Sequence, residues 1–291
     1  MTHSPLPLLQ MTFLGAAHLA WHDGQPVERL TPKAFALFTY LAVTATQGQL
    51  HHTRDTLANL LWSEQANQQA RTNLRYLLPE LRKKMGAYLS ITSQSIGFNQ
   101  QQSYWLDVEA LLTDLDVNLT ALSMSTLQAA VDLYQGEFLA GFNIRDAPVF
   151  EAWVTLQRER LHQVTVQGLY TLAERHLTQG DSSAGIATVQ RLLHLEPWHE
   201  AGHRLQMQFL AATGQRVAAL AQYDLCRTLL AEELGVTPEA ATTALYAQMR
   251  DGAYDKVTGD KVTGDKVTER ELSGRKVTPS LSHAVIPSPP H

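Results

Sequence analysis

The sequence predicts a mainly α chain with two folded parts: an N-terminal α+β part over 1–106 and an all-α part over 107–250. Three observations carry this reading. Short alternating apolar runs flank helical patterns only before position 106. From 107 to 250 apolar residues recur at helical spacing almost without interruption. From 251 to 291 the texture changes, with Asp255-Lys-Val-Thr-Gly259 repeated from Asp260 and again in part from Asp265. That last stretch has no aromatic beyond Tyr254 and ends in Ile286-Pro-Ser-Pro-Pro-His291, so a disordered low-complexity tail is expected.

Composition sets the outer bounds. A chain of 291 residues accommodates two domains of roughly 100–200 residues each. With 44% hydrophobic and 18% charged residues it can bury a core. The net charge of −5 argues against a molecule that binds polyanions over its whole surface, so any affinity for nucleic acid must come from a local basic face. A single cysteine, Cys226, excludes an internal disulfide framework. No apolar run before position 30 is long enough to span a bilayer, and no Lys or Arg precedes Arg29. The expectation is a cytoplasmic chain without membrane contact.

The N-terminal part has a specific order. Residues 9–27 alternate and contain the turn signal His22-Asp-Gly24, which predicts short antiparallel strands. Thr31-Pro32 opens a helix, Phe35, Phe38, Leu41 and Ala42 give it an apolar face, and Gly48 stops it. A second helix begins after Thr53 and carries Leu57, Leu60, Leu61 and Trp62; a third runs over about 65–85. A hairpin follows, with Ser93-Gln-Ser95 as its turn between 88–92 and Ile96-Gly-Phe98. Strands, three helices and a terminal hairpin give the order of a winged helix-turn-helix.

The third helix separates into two faces. Ala70, Leu74, Leu77, Leu78, Leu81 and Met85 form one stripe. Gln68, Arg71, Arg75 and Arg82 form another, with Thr72 and Lys83 beside it. Together with Lys84, five basic residues stand against Glu80 alone. A helix fits the major groove, where Arg reads guanine O6 and N7 and Lys supplies charge to phosphates. The alternative is an ordinary solvated basic face. Pro79, inside the helix, removes a backbone donor and is expected to kink or divide it.

The all-α part contains an internal echo. Gly180 and Gly214, Ala184 and Ala218, and Ala187 and Ala221 each lie 34 positions apart. That is the period of tetratricopeptide helix pairs, whose grooves bind protein segments or another protomer.

Chemistry is hinted at in one place. His199-Glu-Ala-Gly-His203 matches the H-E-x-x-H pattern of zinc hydrolases. No Glu stands between Glu200 and Glu232 to serve as a third ligand, and Gly202 weakens the helix. The predicted core stripe of Trp198, Ala201, Leu205 and Phe209 leaves both histidines on its flank. His51-His52 reads as a solvated strand end and Cys226 as a buried thiol. Gly180-Asp-Ser-Ser-Ala-Gly185 lacks the Lys-Ser/Thr of a phosphate loop. No catalytic residue, metal site or cofactor is expected, and the chain reads as a non-enzyme.

Leu30-Thr-Pro-Lys-Ala-Phe-Ala-Leu37, Arg54-Asp-Thr-Leu-Ala-Asn-Leu-Leu-Trp62, Ala70-Arg-Thr-Asn-Leu74, Leu81-Arg-Lys-Lys84 and Ile96-Gly-Phe98 resemble the OmpR-type winged helix of bacterial activators. Leu133-Tyr-Gln-Gly-Glu-Phe-Leu139, Trp153, Arg158-Glu-Arg-Leu161, Leu195-Glu-Pro-Trp-His-Glu200, Gly214, Ala219, Tyr223 and Glu233-Leu-Gly-Val-Thr-Pro238 resemble the bacterial transcriptional activator domain. Over about 9–250 the pair is similar to the antibiotic-regulatory-protein (SARP) family of transcription regulators. The resemblance implies a regulator of transcription that binds double-stranded DNA. The third helix would enter the major groove and the wing the neighbouring minor groove. The helical-repeat domain would support dimerisation on direct repeats and contact with RNA polymerase. Matched to the recognition-helix pattern, Arg71, Thr72 and Arg75 become the readers, with Lys83 and Lys84 on phosphates. Two features depart from the family pattern: Pro79, and a wing without charge, since no Lys or Arg occurs between Lys84 and Arg145. The rival reading is a helical-repeat scaffold for protein partners whose winged helix has lost DNA affinity. The net charge of only +3 over 1–106 keeps that rival open.

Overall fold

The computed structural model describes residues 8–116 and 119–252; the tail expected over 251–291 lies outside them apart from its first two residues. The chain runs β1 (Leu9–Thr12), β2 (His18–Trp21), α1 (Pro32–Thr46), β3 (His52–Thr53), α2 (Arg54–Trp62), α3 (Asn67–Met85), β4 (Leu89–Ile91), β5 (Ser95–Phe98) and β6 (Tyr104–Leu106). It continues through α4 (Asp107–Leu115), α5 (Met124–Asp132), α6 (Pro148–Gln179), α7 (Ser182–Leu195), α8 (Glu200–Ala212), α9 (Arg216–Leu229), a π-helical turn Leu230–Leu234 and α10 (Ala240–Arg250). Two compact units result, with the division inside α8 between Leu205 and Gln206. The mainly α reading holds, with a winged helix-turn-helix ahead of a helical-repeat region.

In the first unit, β1 and β2 pair antiparallel with Leu9 opposite Trp21. The expected turn at 22–24 is present: Gly24 has φ +81 and donates its N–H to the Trp21 carbonyl at 2.8 Å, folding 25–27 back along β2. β6, which the sequence did not announce, adds parallel to β1 and gives the order β2-β1-β6. The wing is the second sheet, β3-β5-β4, with Ile91 opposite Ile96 and His52 also opposite Ile96 from the other side.

Burial explains the helices. α1 starts at Pro32 and ends before Gly48, whose φ of +86 suits a residue without a Cβ. Thr31 does not cap it with its own side chain. Its N–H and hydroxyl instead donate to the two Glu80 carboxylate oxygens of α3 at 2.8 and 2.7 Å. One apolar core includes Leu9 and Phe13, Phe38 of α1, Leu61 of α2 and Leu74 of α3, and extends to Leu111, Phe150, Leu172 and Leu192. The winged-helix elements and α4–α7 therefore share a core. Asp107, 3% exposed at the start of α4, fastens the two: its carboxylate accepts N–H groups of Phe13 (2.6 Å), Leu14 (2.8 Å) and Val108 (2.7 Å). Burial pushes its pKa up to about 6 against those hydrogen bonds.

Two stretches that resemble the activator domain also meet here. Leu139 has φ +53, and the Arg158 guanidinium donates to the carbonyls of Phe138 (2.8 Å) and Leu139 (3.1 Å). The 34-residue echo is visible in Gly180 (φ +74) and Gly214 (φ +75), which turn the chain after α6 and α8. Its alanines do not carry it: Ala184 is half-buried, and Ala187, Ala218 and Ala221 are exposed. Buried pairs at this spacing include Leu169 with His203, Ala173 with Met207, Gly185 with Ala219 and Leu192 with Cys226.

The second unit, described over 206–252, has its own small core of Met207, Ala219, Leu245 and Met249, with Tyr223 stacked on Tyr246 at 4.2 Å. Among the described residues no helix is long and apolar enough to cross a membrane.

Candidate nucleic-acid interface

The expected recognition helix is α3. It is joined to α2 by a four-residue turn over 63–66 and buries Ala70, Leu74, Leu78, Leu81 and Met85. The opposite face is left to solvent. Gln68, Arg71, Arg75, Arg82 and Lys83 are exposed there, and Thr72 is half-exposed with its hydroxyl bonded to the Gln68 carbonyl at 2.9 Å. Pro79 does not divide the helix, which runs unbroken to Met85. Pro79 lies on the exposed face, as does Arg75, whose carbonyl loses its helical donor. Tyr76, 78% exposed, also projects from α3. Sequence reasoning missed it, although its absence from the apolar stripe was a usable signal.

Two guanidinium groups tie α2 to α3 and to the wing. The Arg71 guanidinium forms a bidentate pair with Asp55 of α2: Nε to Oδ1 and Nη2 to Oδ2, both at 2.6 Å. The hydrogen bonds and charge of Asp55 hold the Arg71 pKa above its usual range. Arg54, one residue earlier, turns toward the wing and donates to the carbonyls of Ser93 (3.0 Å) and Thr92 (2.8 Å). The Thr92 hydroxyl accepts the N–H groups of Gln94 and Ser95, which closes the wing turn. The wing itself lacks charge, but a cation from α2 stands at its base. No sequence signal marks that contact, because its partners lie 38 and 39 positions away. Thr53, Arg54, Asp55, Arg71, Leu74, Ser93 and Gln94 enclose a groove of about 380 Å³ between α2, α3 and the wing.

Lys84 does not join this face. Its side chain is 14% exposed, and Nζ donates to the Arg29 carbonyl at 2.6 Å, with Glu80 at 3.3 Å and Glu28 at 3.4 Å. Burial opposes ionisation of Glu80, but Thr31 and Lys84 outweigh it and hold the carboxyl below its usual range. Lys33 is likewise spent internally, on Asp146 at 2.8 Å and over the Trp62 ring. Arg75, Arg82 and Lys83 form no ion pair among the described residues.

The histidine motifs serve the packing of the fold. His199 Nδ1 accepts the Gly202 N–H at 2.9 Å, a cap at the start of α8. His203 is 1% exposed, inside the helix packing and not on its flank, and its Nε2 donates to the Pro197 carbonyl at 2.7 Å. Trp198, expected in the core stripe, precedes α8 and is 42% exposed. Burial lowers both imidazole pKa values. Gly202 is a packing residue, since a Cβ there would come within 3.0 and 3.1 Å of Leu192 and Leu193. Among the described residues no three His, Cys, Asp or Glu side chains are grouped to hold a metal ion. His52 is buried and not solvated: β3 pairing places Nε2 2.8 Å from the Thr44 hydroxyl and the ring against Tyr40.

Comparison with known proteins agrees with the fold. Residues 108–250 match the bacterial transcriptional activator domain. The regulatory protein AfsR of Streptomyces coelicolor is 29% identical over 234 residues, covering 75% of this chain and 22% of AfsR. AfsR of Streptomyces griseus is 28% identical over 243 residues, covering 79% and 23%. The chain thus spans less than a quarter of the length of these curated relatives. EmbR of Mycobacterium tuberculosis, solved in complex with a low-affinity phosphopeptide, has a similar fold: TM-score 0.65 at 20% identity, over 90% of this chain and 71% of that one. The chain is thus similar to the bacterial transcriptional activator domain over 108–250 and to the AfsR regulators over about three quarters of its length.

Proposed function

We propose that this chain is a sequence-specific DNA-binding regulator, an activator, that inserts α3 into the major groove and acts without chemistry of its own. The observation that carries the reading is the exposed face of Gln68, Arg71, Thr72, Arg75, Arg82 and Lys83 beside a wing whose base holds Arg54. Arg can address a guanine by two hydrogen bonds while Lys and Arg neutralise phosphates. In this reading 1–106 binds DNA, and the helical repeats over 107–250 dimerise on DNA or contact RNA polymerase. Val217, Leu225, Leu234 and Val236 are exposed apolar side chains there, which suits a protein partner.

Salt dependence of duplex binding tests the proposal. The logarithm of the association constant should fall linearly with the logarithm of salt, with a slope of about −0.9 for each phosphate neutralised. Lys83→Ala should make that slope shallower by about 0.9. Lys84→Ala should leave the slope unchanged, because the amine is turned inward. Binding that ignores salt would contradict the proposal.

A further inference from the structure

A guanidinium offers five N–H donors in one plane. In Arg71 the Nε–Nη2 edge is filled by the two Asp55 oxygens, which fixes a long side chain that is otherwise 61% exposed. The edge formed by Nη1 and the second Nη2 hydrogen takes no part in that pair, and its two parallel donors match guanine O6 and N7. The same carboxylate lines the groove between α2, α3 and the wing. The Asp55 charge offsets that of Arg71 and weakens its pull on a phosphate, whereas the second guanidinium edge still offers two parallel donors to the paired acceptors of a base. Arg75, Arg82 and Lys83 have no acidic partner of this kind among the described residues.

We propose that Asp55 is a positioning residue that aims Arg71 at a guanine and so sets part of the sequence preference; this rests on the DNA-binding function proposed above. Asp55 makes its contribution through Arg71 and does not itself touch the base.

The test uses the full chain, a duplex that the wild type selects from a random pool, and versions of that duplex changed at one base pair at a time. Asp55→Asn should lose discrimination at one guanine by about 5- to 150-fold, the range of a bidentate contact, and leave the other positions unchanged. Its affinity for unrelated duplex should hold or rise, because a negative charge leaves a DNA-facing groove. Arg71→Lys, which keeps the charge but cannot form the fork, should lose discrimination at that same guanine. Wild-type preference retained at every position by Asp55→Asn, or an Arg71→Lys loss at a different position, would overturn the role of Asp55. A wild-type chain with no sequence preference would overturn the DNA-binding reading itself, which is a different outcome.

Discussion

Asp107→Ala is expected to destabilise the first compact unit by about 3–5 kcal/mol, because three buried N–H groups lose their acceptor together. Phe13 and Leu14 follow β1, and Val108 lies in α4, so the loss loosens the N-terminal sheet from the helices it packs on. Water cannot replace the carboxylate without entering a core lined by Phe13, Phe138 and Phe150. Denaturant unfolding of wild type and variant measures the effect. The sign of its pH dependence follows from the raised pKa. The folded state holds a proton on Asp107 up to about pH 6, whereas the unfolded chain releases it near 3.8. The stability this group contributes is fully present below the unfolded value and is lost as pH rises through about 6. The penalty of Asp107→Ala should therefore be larger at about pH 4 than at about pH 7. A penalty independent of pH would contradict the raised pKa.

Gly97→Ala is expected to cost about 3 kcal/mol and to weaken duplex binding with it. Gly97 sits in β5, the middle strand of the wing, opposite Ser90. A Cβ at this position would overlap the Leu50 carbonyl oxygen and lie 2.7 Å from His51 Nδ1. The oxygen is backbone and leads directly into β3, which pairs with β5 through His52 and Ile96. Relief thus requires moving a hydrogen-bonded strand, which also shifts Thr53, the cap of α2. The thermal midpoint should fall, and affinity should fall further than it does for a stability-matched core variant away from the wing. An unchanged midpoint in Gly97→Ala would show that the 50–51 backbone does not hold this position.

Where local signals dominate, the sequence was readable. Thr31-Pro32, Gly48 and the stripe from Ala70 to Met85 placed α1 and α3, and alternation with a polar turn placed the wing hairpin. Long-range pairing was not readable. β6 is three residues long and owes its strand conformation to β1, which lies more than ninety positions earlier. His52 looked solvated because its partners, Thr44 and Ile96, come from other elements. Within the candidate site, the helical wheel separated an exposed basic face from a buried one. It could not show that Lys84 bends back to Arg29, or that Asp55 and Arg54 bring α2 into the interface. Pro79 was expected to break the helix, but on the exposed side one missing N–H is tolerated.

That the exposed face of α3 reads DNA is tested most directly by selecting duplexes from a random pool with the full chain, in wild type and in Arg71→Ala/Arg75→Ala. Enrichment of a defined element arranged as a direct repeat is expected from the wild type. That enrichment should collapse in the double variant while the thermal midpoint stays near wild type. No enrichment at low salt from folded wild-type protein would contradict the DNA-reading role and favour a helical-repeat scaffold that binds protein partners.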